Sequence, residues 1–234
     1  MVVRLCFARH DVAMAKTRSW LQRSVYDLSR IGVRWVGWIL LRLKLLGAEK
    51  FPADGGALVC SNHQSDLDPV LLGALCPRRM NYLARETLFN SKLFGALIRF
   101  YDAIPVKRDG MSISGLKATL KRLKRGELVL IFPEGTRTKN GAVSPLKSGF
   151  CMLARKAGVP LVPVGIAGAY DVWPRDKKLP RLAAVCLVTG EPIPAEVVAE
   201  LDDNQLVSLL QERIEACFET AEQVRRGKSI GTHD

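Results

Sequence analysis

One short polar stretch, Ser61-Asn62-His63-Gln64-Ser65-Asp66-Leu67-Asp68, gathers a histidine and two carboxylates. Imidazole, with a reference pKa of about 6.5, can take protons near neutral pH, and a carboxylate behind it fixes the tautomer and steadies the imidazolium. His63 and Asp68 lie five residues apart. Five residues of regular helix turn about 140° past a full turn, so the pair could not meet on a helix. A turn over residues 63 to 67, ahead of a helix that Asp68 caps and Pro69 opens, would bring them together. The other reading is plainer, with Asp68 only a helix cap and His63 a solvated loop residue. A Ser-His-Asp hydrolase fits poorly, because there is no G-x-S-x-G elbow and Ser61 and Ser65, two residues either side of His63, would point away from it. Cys60 lies in an apolar run and reads as an inert buried thiol.

A second cluster, Phe132-Pro133-Glu134-Gly135-Thr136-Arg137, follows the most apolar strand-like run, Glu127 to Phe132. A buried strand opening into such a turn places it at the carboxyl edge of a sheet, where ligands of α/β proteins bind. Gly135 permits close approach of backbone, and Arg137 offers a fork suited to phosphate. Arg108 ends another strand-like piece, Ile104-Pro105-Val106-Lys107. If these strand ends converge, they make a site with one base and at least two arginines; taken singly, each is an ordinary surface turn.

The elements that would position these residues alternate. Strands are expected at Ala57 to Cys60, Met80 to Ala84, Ile104 to Lys107, Glu127 to Phe132, Leu161 to Ile166 and Ala184 to Thr189. Helices are expected from Pro69, from Ser112 to Gly126, from Ser148 to Gly158, and from Asn204 to about Arg225. The class is therefore α/β, with a mixed, mainly parallel sheet flanked by helices. Residues 51-234 would form one catalytic domain, and residues 1-50 an N-terminal helical segment.

That segment carries Trp20, Leu21, Val25, Leu28 and Trp35 at helical spacing, then an apolar stretch from Ile31 to Leu46 broken by Arg34, Arg42 and Lys44. Its longest uncharged run containing the tryptophans, Trp35 to Leu41, falls far short of the roughly 20 residues that span a bilayer. Shallow insertion at headgroup level, with basic side chains snorkelling, is one reading; a core helix packed under the catalytic domain is the other. The chain holds 35 Lys+Arg against 23 Asp+Glu, a net charge of +12, so an anionic partner is expected: nucleic acid, a phosphorylated small molecule or an anionic lipid surface. No helix-turn-helix, zinc finger or RNP pattern is present to use nucleic acid. The six cysteines and three histidines have no metal-binding spacing, which points to a reduced, metal-free protein of the cytosolic side.

Asn62-His63-x-x-x-x-Asp68, Ile104-Pro105-Val106-Lys107-Arg108, Phe132-Pro133-Glu134-Gly135-Thr136-Arg137 and Val159-Pro160-Leu161-Val162-Pro163-Val164, in this order, strongly resemble the glycerolipid acyltransferases of the 1-acylglycerol-3-phosphate acyltransferase family. The likeness runs from residue 35 to 193, ending with Gly190-Glu191-Pro192-Ile193. The second motif departs a little from the usual pattern at Val106. The resemblance implies transfer of a fatty acyl group from acyl-CoA or acyl carrier protein, a co-substrate rather than a cofactor, to the free hydroxyl of a lysophospholipid. It assigns His63 as general base and Asp68 as its support. Arg137 and Arg108 would hold the acceptor's phosphate, with Glu134, Gly135 and Thr136 shaping the pocket and Asn62 and Lys147 near it. Glu134, which would repel phosphate, is expected to orient Arg137 or a glycerol hydroxyl. The implied location is the cytoplasmic face of a membrane, the inner membrane in a bacterium. Acylation of another lysolipid acceptor, such as a lyso-ornithine lipid or glycerol phosphate, and a basic adaptor without catalysis are the alternatives.

Overall fold

The apolar runs of the sequence are strands wrapped by helices on both sides. In a computed structural model, which describes residues 19–106 and 113–227, the elements in chain order are α1 (Trp20–Leu41), β1 (Lys44–Leu46), β2 (Ala57–Ser61), α2 (Asp68–Leu75), β3 (Met80–Arg85), α3 (Lys92–Phe100), β4 (Ala103–Val106), α4 (Ile113–Lys124), β5 (Leu128–Ile131), α5 (Gly149–Ala157), β6 (Leu161–Ala167), α6 (Ala169–Val172), β7 (Cys186–Thr189), α7 (Ala195–Glu200) and α8 (Asp203–Arg225). The seven strands form one sheet in the order β1-β7-β6-β2-β5-β3-β4. Five strands, from β6 to β4, run parallel; β7 is antiparallel to β6, and β1 is parallel to β7. The mixed, mainly parallel sheet expected from the sequence is therefore present.

Every residue of β2, β5 and β6 is buried, as parallel strands covered on both faces must be. Side chains alternate between two cores with the period of two that a pleated strand imposes. Ala57, Val59, Leu128 and Leu130 face Leu71, Leu72 and Leu75 of α2. Leu58, Cys60, Val129 and Ile131 face Leu123 of α4, Phe150 and Leu153 of α5, and Leu206, Leu210 and Ile214 of α8. The carboxyl end of β2 thus emerges at the middle of the sheet between β5 and β6, and its next residues start the polar loop.

The N-terminal segment differs from the expectation in two ways. It is not helical throughout: α1 stops at Leu41, Arg42 turns the chain with a left-handed φ of 46°, and Lys44–Leu46 is the edge strand paired with β7. The end of the apolar stretch that suggested a continuing helix is accounted for otherwise: Leu43 folds beneath Gly37, and Leu45 packs against the sheet core. Secondly, Arg30 and Arg34 turn inward and donate to the carbonyls of Pro77 and Ala74, where the carboxyl end of α2 presents unpaired carbonyls and negative dipole. The large apolar residues face outward instead, Trp20, Leu28, Trp35, Trp38 and Ile39 each being more than half exposed. Tyr26, by contrast, is buried; Arg79 lies 4.5 Å over its ring and its hydroxyl meets that of Tyr82.

Candidate active site

Asp68 is the first residue of α2 rather than its cap, and Leu67 holds the cap position. Its carboxylate curls back over the preceding turn. The Oδ2 atom accepts from the backbone N–H of Gln64 at 2.6 Å and of Ser65 at 2.8 Å, and lies 2.8 Å from Nδ1 of His63. The turn over residues 63 to 67 required by the spacing of five is therefore formed, and the plainer reading of a solvated His63 and a merely capping Asp68 is set aside. Asp68 is wholly buried and its Oδ1 has no hydrogen-bond partner among the described residues. Burial raises its pKa above the ordinary carboxylate value, while His63 and the two backbone N–H groups pull it back down. A carboxylate on Nδ1 fixes the proton there in the neutral ring and leaves Nε2 with a free lone pair to accept one.

The ring of His63 is stacked on one face as well as hydrogen-bonded. Phe132, at the end of β5, stacks on it with 3.8 Å between centroids and 10° between planes. The loop after β5 is tied to the loop after β2 at two more points: Thr138 N–H donates to the His63 carbonyl at 2.8 Å, and the His63 N–H donates to Oε1 of Glu134 at 2.9 Å. Glu134 is thus a brace under the histidine. Of the two orienting roles expected of it, the one toward Arg137 is not seen: its carboxylate is buried beneath the loop, and Arg137 is held by Asp66. Burial raises its pKa, with the His63 N–H and Ser144 acting against that rise.

Arg137 pairs instead with Asp66 of the histidine loop and remains partly exposed. Gly135 adopts a left-handed φ of 73° in a turn closed onto the Phe132 carbonyl, and the Lys147 ammonium lies over it, so that a Cβ at this position would sit 3.0 Å from Nζ. Thr136 is exposed on the same turn. Asn62 is placed differently from the expectation of substrate contact: it is wholly buried, donating to the Ile166 carbonyl at 2.9 Å and accepting from the Ile166 N–H at 2.7 Å. Both ends of its amide are consumed in joining β2 to β6. Arg108 lies outside the described residues.

Three contributors carried no sequence signal of their own. Asp66 looked like any loop carboxylate. Gln64 bridges outward, donating to the Gly141 carbonyl and accepting from the Tyr170 N–H. Phe132 reads as one more strand residue, although its place directly before Pro133 marks the point where the strand leaves the core. Ser61 and Ser65 spend their hydroxyls on the Asn62 and Trp173 carbonyls, not on His63, which agrees with the poor fit of a serine hydrolase. Cys60 is wholly buried and its thiol is pushed well up by burial.

A family model described as Acyltransferase matches residues 42–167. The chain is 32% identical over 173 residues to the 1-acyl-sn-glycerol-3-phosphate acyltransferase of Bacillus subtilis, covering 74% of this chain and 84% of that protein. The chain belongs to the acyltransferase family. A chloroplastic 1-acyl-sn-glycerol-3-phosphate acyltransferase of Brassica napus is 34% identical over 131 residues, 55% of this acyltransferase but only 38% of the longer plant protein. The crystal structure of the 1-acyl-sn-glycerophosphate acyltransferase PlsC from Thermotoga maritima shares its fold, with a TM-score of 0.76 and 26% identity over 86% of this chain and 81% of that one. The mixed, mainly parallel sheet and flanking helices of this acyltransferase match that architecture.

Proposed function

We propose that this acyltransferase moves a fatty acyl group from a thioester to the free hydroxyl of 1-acylglycerol-3-phosphate, giving phosphatidic acid, with His63 as the general base. The observation that carries the reading is the 2.8 Å contact between Nδ1 of His63 and a buried Asp68, at the sheet edge where Arg137 stands on the neighbouring turn. Nε2 takes the hydroxyl proton as the oxygen attacks the thioester carbonyl, and the imidazolium that results is stabilised by Asp68. The tetrahedral intermediate collapses with loss of the C–S bond, and the departing thiolate takes up the proton. No acyl-enzyme is needed. Arg137, with Arg108 of the earlier Ile104-Pro105-Val106-Lys107-Arg108 motif, would hold the acceptor's phosphate, and Lys147 over Gly135 adds a third cation.

The acceptor resides in a bilayer, and the outward apolar face of α1 fits a protein lying at headgroup level on the cytoplasmic leaflet. No helix among the described residues is long and apolar enough to cross a membrane. His63→Ala is expected to reduce acyl transfer to lysophosphatidic acid to background while the thermal transition stays near that of the parent. Near-normal release of free thiol from palmitoyl-CoA by that variant would remove the base assignment.

A further inference from the structure

The exposed side of α4 bears Lys117, Lys121 and Lys124, spaced along about 10 Å of one helical face. The helix holds no acidic residue, and none of the three lysines is in an ion pair among the described residues. Arg122, the cation facing inward, is the one engaged, with Glu127. The neighbouring α5 adds exposed Lys156 and Met152, and Ile113 opens the stripe, three-quarters exposed. The acidic side chains of this layer lie mostly along α8, where Asp203 and Glu222 are paired with arginines and Glu212, Glu215 and Glu219 are exposed, and among the described residues none of these is in an ion pair with a lysine of α4. The stripe is therefore an uncompensated cationic helix face with apolar residues interleaved.

Its position separates two anionic partners. α4 and α5 cover the face of the sheet lined by Leu58, Val129 and Leu161, whereas α1 belongs with α2 on the opposite face. A bilayer met by the tryptophans of α1 would lie on the side away from the lysines. A coenzyme A nucleotide calls for an enclosing pocket, which an open convex helix does not provide. We propose that this stripe is the docking surface for an acidic acyl carrier protein, which delivers the thioester donor. α4 begins at the carboxyl edge of the sheet, after β4, and leads into β5, whose carboxyl end carries the Arg137 turn, so a carrier lying along it reaches the same edge of the sheet as the site. The inference rests on the acyl-transfer reading and names the donor for it.

The test uses full-length enzyme and a palmitoyl-loaded bacterial acyl carrier protein. In Lys117→Glu/Lys121→Glu/Lys124→Glu, carrier affinity measured by fluorescence anisotropy is expected to fall about tenfold or more, and KM for the carrier thioester to rise by a similar factor. Both effects shrink at high salt in the parent-to-variant ratio. Turnover of palmitoyl-CoA and sedimentation with anionic vesicles stay at parental values. Absence of carrier binding by the parent, unchanged affinity in the variant, or an equal loss with palmitoyl-CoA overturns the proposal; a loss confined to vesicle sedimentation assigns the stripe to lipid and overturns it as well. The binding titration needs no turnover, so an enzyme inactive with both donors would sink the acyl-transfer reading while the docking result still stood.

Discussion

Asp68 holds a carboxylate where water cannot reach it, and three donors on a single oxygen offset only part of the desolvation. Its pKa in the fold lies above the unfolded value of 3.8. The ionised form therefore burdens stability above the folded pKa, and the burden fades as pH falls through that value and is gone below 3.8. Asp68→Asn is expected to lower kcat by roughly 10⁴, the scale of such a change in histidine–carboxylate triads, because the amide favours the wrong tautomer. The variant should nonetheless melt no lower than the parent at neutral pH, with the difference between them shrinking as the buffer approaches pH 4. A variant that melts well below the parent at pH 7 would contradict this. Glu134 is tested by a pair of substitutions. Glutamine can still accept from the His63 N–H and alanine cannot, so Glu134→Gln should keep most of kcat and Glu134→Ala lose about 10², the effect of a histidine displaced by the order of 1 Å. The acceptor KM should stay close to parental in both; a large rise in Glu134→Gln would mean that the carboxylate binds substrate directly.

Among the elements, α1 is the one whose surface is at odds with water. Its outward tryptophans, leucines and isoleucine each stand to gain on the order of 1.5–3 kcal/mol by burial, while its inner side is clamped through Tyr26, Arg30 and Arg34. Removing residues up to 46 would be a poor test of membrane contact, since it strips β1 from the sheet and takes the buried Leu43 from the core. Trp35→Glu/Trp38→Glu changes only exposed positions, whose rings touch each other edge to face. This variant is expected to sediment several-fold less with anionic vesicles and to keep its melting temperature. Undiminished sedimentation would separate α1 from the membrane.

For the molecule as a whole, the excess of +12 and the apolar helix act by different physics. Attraction of lysines and arginines to anionic lipid, about 1 kcal/mol for each one near the surface, decays with ionic strength. The apolar contribution does not. Raising salt from about 0.1 M to about 1 M shortens the screening length from about 10 Å to about 3 Å. Vesicle binding, followed by sedimentation, should weaken over this range and level off above zero. Complete release would show that charge alone holds the protein there.

How much of this was legible beforehand depended on the range of the interactions involved. The strands at Ala57, Leu128 and Leu161 and the helix ending at Gly158 announced themselves, because burial on two faces and a left-handed helix terminus select residue types locally. The motif order pointed to the family, and the spacing of His63 and Asp68 specified the turn between them. Residues tied across the sheet were not legible in this way. Glu134 under His63, Asn62 on Ile166, Arg137 on Asp66 and the ring of Phe132 on the histidine join segments some 70 to 104 residues apart, and no local preference encodes which distant loop will be adjacent. The break of the N-terminal helix at Arg42 belongs to the same class. The alternation of Arg42-Leu43-Lys44-Leu45 has a strand's period of two, but it is too short to stand out from the apolar helix it continues, and the open edge of β7 fixed it as a strand.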